Sequence, residues 1–381
     1  MTADIDAVSA PDDLAAVAAD QLAFYDAVAE GFARATARVS TQEHDLILAD
    51  FRVRLCFAGS ALIPPLLPAL EHLVVPADPA AAPDFRIALF DTRSTGTPLP
   101  FLSARFVELL RLRWWDYLAG RREIRGLNGM RIRSVFHLGP DILSLLDNDR
   151  NEAVYWIEDA AAIPYYETGY PLSVLLNWWL AGRGRYFVHA ATIGRPDGGV
   201  LLTGKGGSGK STTTLACLFS TLGIVGDDYA VVDPARAHAF SLYNSIKLKS
   251  LRDVGRFPGI ADAVSNLARV QSEADSEDGE KALIFLHRHF PERLLPELPL
   301  KAILVPRIHS EAETRITPAP AALAFKALAP STLFQLPGNA HDAFRALVDM
   351  VRRIPAYEIA LGRDIARIPD RIEQFLTDPG R

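Results

Sequence analysis

Eight consecutive residues carry the plainest chemistry in the chain: Gly204-Lys205-Gly206-Gly207-Ser208-Gly209-Lys210-Ser211. They fit the pattern G-x-x-x-x-G-K-[ST] in full. Glycine lacks a Cβ, so the backbone can turn several N–H groups inward and form a nest for an anion. An apolar run, Val200–Leu202, leads into the loop, and a helix-compatible run, Thr212–Phe219, leads out. The positive end of that helix would point at the same anion. The expected ligand is a nucleoside triphosphate, ATP, held by Gly204 to Ser211 with Thr212 behind them. Lys210 would reach the β- and γ-phosphates, and the Ser211 hydroxyl would ligate Mg²⁺.

The neighbouring elements must hold this loop in place. Tyr186–Ile193 reads as a strand, Gly194–Gly198 as a turn and Gly199–Thr203 as a second strand. Two short strands joined by a Pro-Asp-Gly turn make an antiparallel hairpin. In most nucleotide-binding folds with this loop, a helical crossover would separate neighbouring strands of a parallel sheet. Beyond the loop helix, Gly223–Gly226 leads to the acidic pair Asp227-Asp228, and Tyr229–Val232 reads as a strand.

The stretch His189…Gly204–Ser211…Gly226-Asp227-Asp228-Tyr229 resembles the HPr serine kinase/phosphorylase family, whose fold is related to ATP-dependent phosphoenolpyruvate carboxykinase. The chain looks more like the bacterial HPr kinase-like proteins found beside peptide-modification genes, among them the lasso-peptide precursor kinases. GKGGSGKSTT, GDDY, SLYNS-x-KL, LPLKAILVPR and APSTLFQLPG carry that likeness. The specific part covers Tyr186–Asp233, and a looser similarity runs from Asn151 to the C-terminus. No LEIRG-type signature follows the acidic pair, so neither HPr nor phosphorolysis is implied. The first half does not match that family's N-terminal domain.

The resemblance implies an α/β fold, a kinase core of the HPr kinase/phosphoenolpyruvate carboxykinase type. Its mixed sheet would have a hairpin before the P-loop, and an α+β N-terminal domain would precede it. The expected domains are 1–150, a candidate for acceptor recognition, and 151–381, the kinase core. The implied reaction moves the γ-phosphoryl group of ATP, with Mg²⁺, to a hydroxyl, foremost a serine of a small protein or peptide. Asp227 would be the base, Asp228 would help Ser211 hold the metal, and His189 would hydrogen-bond the base; the reverse assignment of the two aspartates stays open. Arg307, Lys247 and Lys281 are candidates for neutralising the phosphoryl charge, with a surface role as the alternative. Other readings are a small-molecule hydroxyl kinase and a nucleotide-dependent regulator that transfers nothing. Homo-oligomers are expected from the resemblance alone.

Composition bounds these readings. The chain has 381 residues, 49% of them apolar and 23% charged, with a net charge of −6. That composition can bury a core, and its sign argues against a general nucleic-acid binder. Cys56 and Cys217 form no metal or redox motif, so they read as buried apolar residues in a reducing, cytoplasmic protein. The acidic N-terminus carries no signal-peptide pattern. Leu55–Val75 is interrupted by Pro64, Pro65, Pro68, Glu71 and His72, which argues against a membrane span.

The rest of the chain yields a coarse map. Asp12–Thr36 reads as an Ala-rich helix, Phe106–Tyr117 as an apolar one, and Gly169–Gly182 as a buried one with Trp178 and Trp179 in the core. Leu46–Phe57, Phe85–Phe90, Ser134–Leu138, Ala153–Ile157, Phe240–Leu248, Ala282–Leu286 and Ala302–Pro306 read as strands. The arginines from Arg105 to Arg133 read as a solvated face, with an anionic partner as the sharper alternative. Gln271–Glu280 reads as an acidic loop. His287 and His289 read as strand residues that bind no metal. Proline density from Pro291 to Pro337 predicts loops and short elements. His341–Arg353 and Pro369–Leu376 read as helices.

Overall fold

The computed structural model describes residues 14–78, 80–99, 118–119, 122–248, 254–257, 259–272, 280–333 and 340–378. The expected helix at Phe106–Tyr117, part of the arginine-rich stretch and most of the acidic loop lie outside these residues. The protein is mixed α/β and divides into two compact units. The first is 1–43, 55–61 and 85–162; the second is 44–54, 62–84 and 163–381.

The first unit is a sheet packed against helix Leu14–Thr36. Its strands are β1 (Thr41–Leu48) and β2 (Phe51–Ala58), whose residues are shared between the units, and β4 (Phe85–Asp91). A two-residue β3 (Val74–Val75), which belongs to the second unit, comes between them in sequence. β5 (Leu118–Ala119), β6 (Glu123–Ile124), β7 (Ile132–His137), β8 (Ile142–Asp147) and β9 (Glu152–Ile157) complete the sheet. The order of these strands is β1-β2-β4-β9-β8-β7-β6-β5. Alternate residues point to one face, so Phe136, Leu143, Leu145, Val154 and Trp156 pack with Tyr25, Val28 and Phe32 of the helix. β9 lies beyond the expected boundary at residue 150 but belongs to this unit.

The expected strand Leu46–Phe57 is instead the end of β1, a turn and most of β2. The turn is Ala49-Asp50, with φ of 48° and 76°. A two-residue turn that is left-handed at both positions is what a tight hairpin needs, but Asn or Gly normally signals it. β8 was not expected, because ILSLLD is an apolar run without alternation.

The second unit is built on β12 (Gly198–Thr203), β18 (Glu297–Ile308) and β20 (Ala356–Leu361), which run parallel side by side. β11 (Ala190–Arg195) pairs antiparallel with β12, from Ala190↔Thr203 to Arg195↔Gly198, so the expected hairpin is present. β13 (Gly223–Gly226) flanks β11, and β19 (Arg315–Ala319) flanks β20. β10 (Tyr186–Val188), β14 (Ala230–Asp233) and β15 (His238–Phe240) form an antiparallel layer that joins the first residues of β18. β16 (Ser245–Leu248) pairs with β17 (Ala282–Phe285).

The central strands are apolar on both faces, as parallel strands under two layers must be. Leu201 and Ile303 face a core with helices Ala321–Leu333 and Ala340–Arg353. Val200, Leu202, Ala302 and Leu304 face the other core, with Cys217 and helix Ile368–Thr377. Proline density misled the reading here, because Pro330 sits inside a 13-residue helix. His287 and His289 sit on a helical turn, Leu286–His289, and not on a strand. Trp178 and Trp179 are buried on helix Ser173–Ala181, and Cys56 and Cys217 are buried free thiols. Among the described residues, no helix is long and apolar enough to cross a membrane.

Candidate functional site

β12 delivers its C-terminal end to the Gly204–Gly209 loop, and helix Lys210–Leu218 begins at once. Gly207 and Gly209 adopt φ of 79° and 102°, where a side chain would strain the backbone. A Cβ at Gly209 would also collide with Leu361 Cδ1. Lys205, Gly206 and Gly207 are exposed, whereas Ser208 and Lys210 are buried. Lys210 folds back on the loop, donating from Nζ to the Gly204 carbonyl at 2.7 Å. Burial lowers its pKa, against the opposing charges of Asp228 and Asp227.

A break shared by two neighbouring strands brings in the other residues. β10 ends at Val188 and β11 starts at Ala190; β10 pairs with β14 and β11 with β13. On the partner side, β13 ends at Gly226 and β14 starts at Ala230. Both chains therefore switch partners at the same level. Val188 pairs with Ala230 and Thr192 with Gly226. His189 thus occupies a bend between two strands, where a single continuous strand was expected, and it faces Asp227-Asp228-Tyr229.

The two aspartates have different surroundings. Asp227 is 2% exposed. Its Oδ1 accepts from Thr214 Oγ1 at 2.7 Å. Asp227 Oδ2 is buried and has no hydrogen-bond partner. Burial pushes this carboxyl up to about 7, and the Asp228 charge pushes the same way against Thr214, Ser211 and Lys210.

Asp228 faces away from the loop. Its Oδ1 lies 3.0 Å from His189 Nε2, and its Oδ2 accepts from the Tyr170 hydroxyl at 2.6 Å. A carboxylate only accepts, so Nε2 carries the imidazole proton in this pair. Burial would raise the Asp228 pKa. The hydrogen bond and charge of His189, the bond from Tyr170 and the charge of Lys247 outweigh it and hold the carboxyl well below the usual range. Tyr229 packs against His189, Tyr170 and Tyr243, with ring centroids 5.7, 5.0 and 6.4 Å apart.

Sequence reasoning linked His189 to Asp227, but the hydrogen bond is to Asp228. It missed Tyr170, which lies 58 residues before Asp228 in a segment without a motif. It also missed Thr214, although four residues after Lys210 is the same helix face. Arg307 lies near the end of β18, 71% exposed and 3.6 Å from Glu358, outside the bonded cluster. Thr212 follows Ser211 on the first turn of the loop helix.

Among the described residues, no three His, Cys, Asp or Glu side chains group to hold a metal. Mg²⁺ does not require such a cage; it binds one or two carboxylates, waters and substrate phosphates. A buried carboxylate with a raised pKa and an unpartnered oxygen, beside a serine hydroxyl, suits a divalent cation. Asp227 and Ser211 are therefore the residues that could hold one. No protein-family model matches the chain, and no curated protein matches it either.

Proposed function

We propose that the protein is an ATP- and Mg²⁺-dependent kinase that transfers the γ-phosphoryl group to a hydroxyl, foremost a serine of a small protein or peptide. One observation carries this reading. The Gly204–Ser211 loop and an acidic pair meet at one point, and the pair is divided between the loop and a His189–Tyr170 cluster. Phosphoryl transfer needs positioning and charge neutralisation more than covalent help. The parallel strand ends and the preceding hairpin support a core of the HPr kinase/phosphoenolpyruvate carboxykinase type. The buried free thiols fit the reducing cytoplasm, where ATP is abundant.

The loop backbone would seat the phosphates, and Lys210 would leave the Gly204 carbonyl for the β- and γ-phosphate oxygens. Bound Mg²⁺ would neutralise charge between those phosphates. Ser211 and Asp227 would hold it, so the geometry favours the exchange of the two aspartate roles that the sequence left open. Asp228, steadied by His189 and Tyr170, would orient the acceptor hydroxyl. Each of its oxygens keeps a second lone pair free to accept. The acceptor oxygen bonds to phosphorus as the bond to the β–γ bridging oxygen breaks, and ADP leaves with that electron pair. The hydroxyl proton passes to the Asp228 carboxylate.

The test is transfer from γ-labelled ATP with Mg²⁺ into a peptide pool and a cell lysate. The wild type labels an acceptor, and Lys210→Ala lowers the rate by about 10²–10³-fold. Label that persists in Lys210→Ala would overturn the reading.

A further inference from the structure

A second lysine stands on the far side of the acidic pair. Lys247, on β16, places Nζ 3.3 Å from the centroid of the Tyr170 ring. The hydroxyl of that ring is bonded to Asp228. Among the described residues Lys247 Nζ makes one hydrogen bond, a long one to the Tyr166 carbonyl, 3.5 Å. An ammonium has three donors, so most of its hydrogen-bonding capacity is unspent. Burial pulls its pKa down to about 7; Asp228 and Glu167 oppose the fall, and Lys281 adds to it. Lys281 lies two residues before Leu283, the cross-strand partner of Lys247.

The backbone around Lys247 is shaped to admit it. Gly169 lies against its stem, and a Cβ there would come within 2.6 Å of Lys247 Cε. Ser245 Oγ donates to the Gly169 carbonyl at 2.6 Å and fixes the two segments together. Tyr243 donates to the Pro171 carbonyl at 2.8 Å. These contacts hold a partly buried lysine near Asp228, and among the described residues no carboxylate is hydrogen-bonded to it. A surface lysine needs no such seat.

We propose that Lys247 is the second phosphoryl-binding cation of this site, working from the acceptor side while Lys210 works from the nucleotide side. The inference rests on the kinase reading. In phosphoryl transfer, charge spreads over three equatorial oxygens as the group leaves ADP. Lys210, at the start of the loop helix, reaches them from one side only. Lys247 is a point charge on a flexible stem, free to swing off the Tyr170 ring towards the group moving to Asp228. It stabilises that group as the acceptor O–P bond forms and the P–O bond to ADP breaks. It takes no proton from the acceptor; that proton passes to the Asp228 carboxylate as above.

The probe is Mg²⁺–ADP with aluminium fluoride, a planar stand-in for the transferring phosphoryl group, which needs no knowledge of the acceptor. Wild type should bind ADP far more tightly with aluminium fluoride than without it. Lys247→Met should keep its affinity for ADP alone within threefold and lose about 10²-fold of the aluminium-fluoride complex. Lys247→Arg should recover part of that loss. Gly169→Ala, which displaces the lysine without removing it, should move in the same direction as Lys247→Met. Thermal melts identify any variant that fails to fold, and the glycine and arginine variants then decide. Tightening in Lys247→Met equal to that of the wild type would overturn the role of Lys247 and leave the kinase reading intact. A wild type that gains nothing from aluminium fluoride would overturn both.

Discussion

Asp227 and Asp228 are consecutive residues, yet they occupy opposite electrostatic environments. Asp227 looks to the loop, is bonded by Thr214, and leaves one buried oxygen unpartnered. Asp228 looks to the other side, with both oxygens taken by His189 and Tyr170. Burial dominates the first and raises its pKa to about 7, whereas hydrogen bonds and charge dominate the second and lower it. One short crossing between β13 and β14 thus presents its two carboxylates to different partners. The contrast shows that an acidic pair is not one site. Under the proposed function, the loop side would hold the cation and the other side would orient the hydroxyl.

The largest expected effects come from neutralising each carboxylate separately. Asp228→Asn should lower phosphoryl transfer by about 10²–10³-fold and leave nucleotide affinity unchanged, as read by labelled-ATP transfer and equilibrium binding. Asp227→Asn should lower transfer as much, but through lost Mg²⁺ dependence. A smaller effect sharpens the Asp228 side. Tyr170→Phe removes one hydrogen bond to a charged group, worth about 1.5–3 kcal/mol, and should slow transfer by roughly 10–100-fold at unchanged nucleotide affinity.

The smallest effect concerns the support behind that side. His72 Nε2 lies 2.7 Å from Ser241 Oγ, and Asn244 Nδ2 lies 3.2 Å from His72 Nδ1; both partners precede β16, which carries Lys247. Burial, aided by the His287 charge, lowers the His72 pKa from 6.5 to about 3. The unfolded imidazole takes a proton as pH falls through 6.5, and the folded one does not until about 3. The unfolded state therefore binds more protons in that window, and stability falls with falling pH. Unfolding free energy should be about 2 kcal/mol lower at pH 5 than at pH 7 from this group. Denaturant melts of His72→Gln should lose that part of the slope.

The loop was legible in the sequence because its residue types are demanded by backbone shape: Gly207 and Gly209 take positive φ, and Lys210 and Ser211 stand at fixed places after them. The hairpin was legible because Pro196-Asp197 turns between two apolar runs. The division of Asp227 from Asp228 was not, since it depends on which side of one crossing each residue faces. Tyr170 reaches Asp228 from a segment that carries no pattern of its own. The Ala49-Asp50 turn hid because neither residue advertises a left-handed conformation. Helix Ala321–Leu333 hid because Pro330, which reads as a breaker, sits inside it.

The most direct test of the divided pair is Mg²⁺-dependent nucleotide binding. ATP affinity would be titrated with and without Mg²⁺ in wild type, Asp227→Asn and Asp228→Asn. The account predicts that Mg²⁺ strengthens binding in the wild type and in Asp228→Asn, and that Asp227→Asn loses the gain. An equal loss in both variants, or a loss confined to Asp228→Asn, would contradict it.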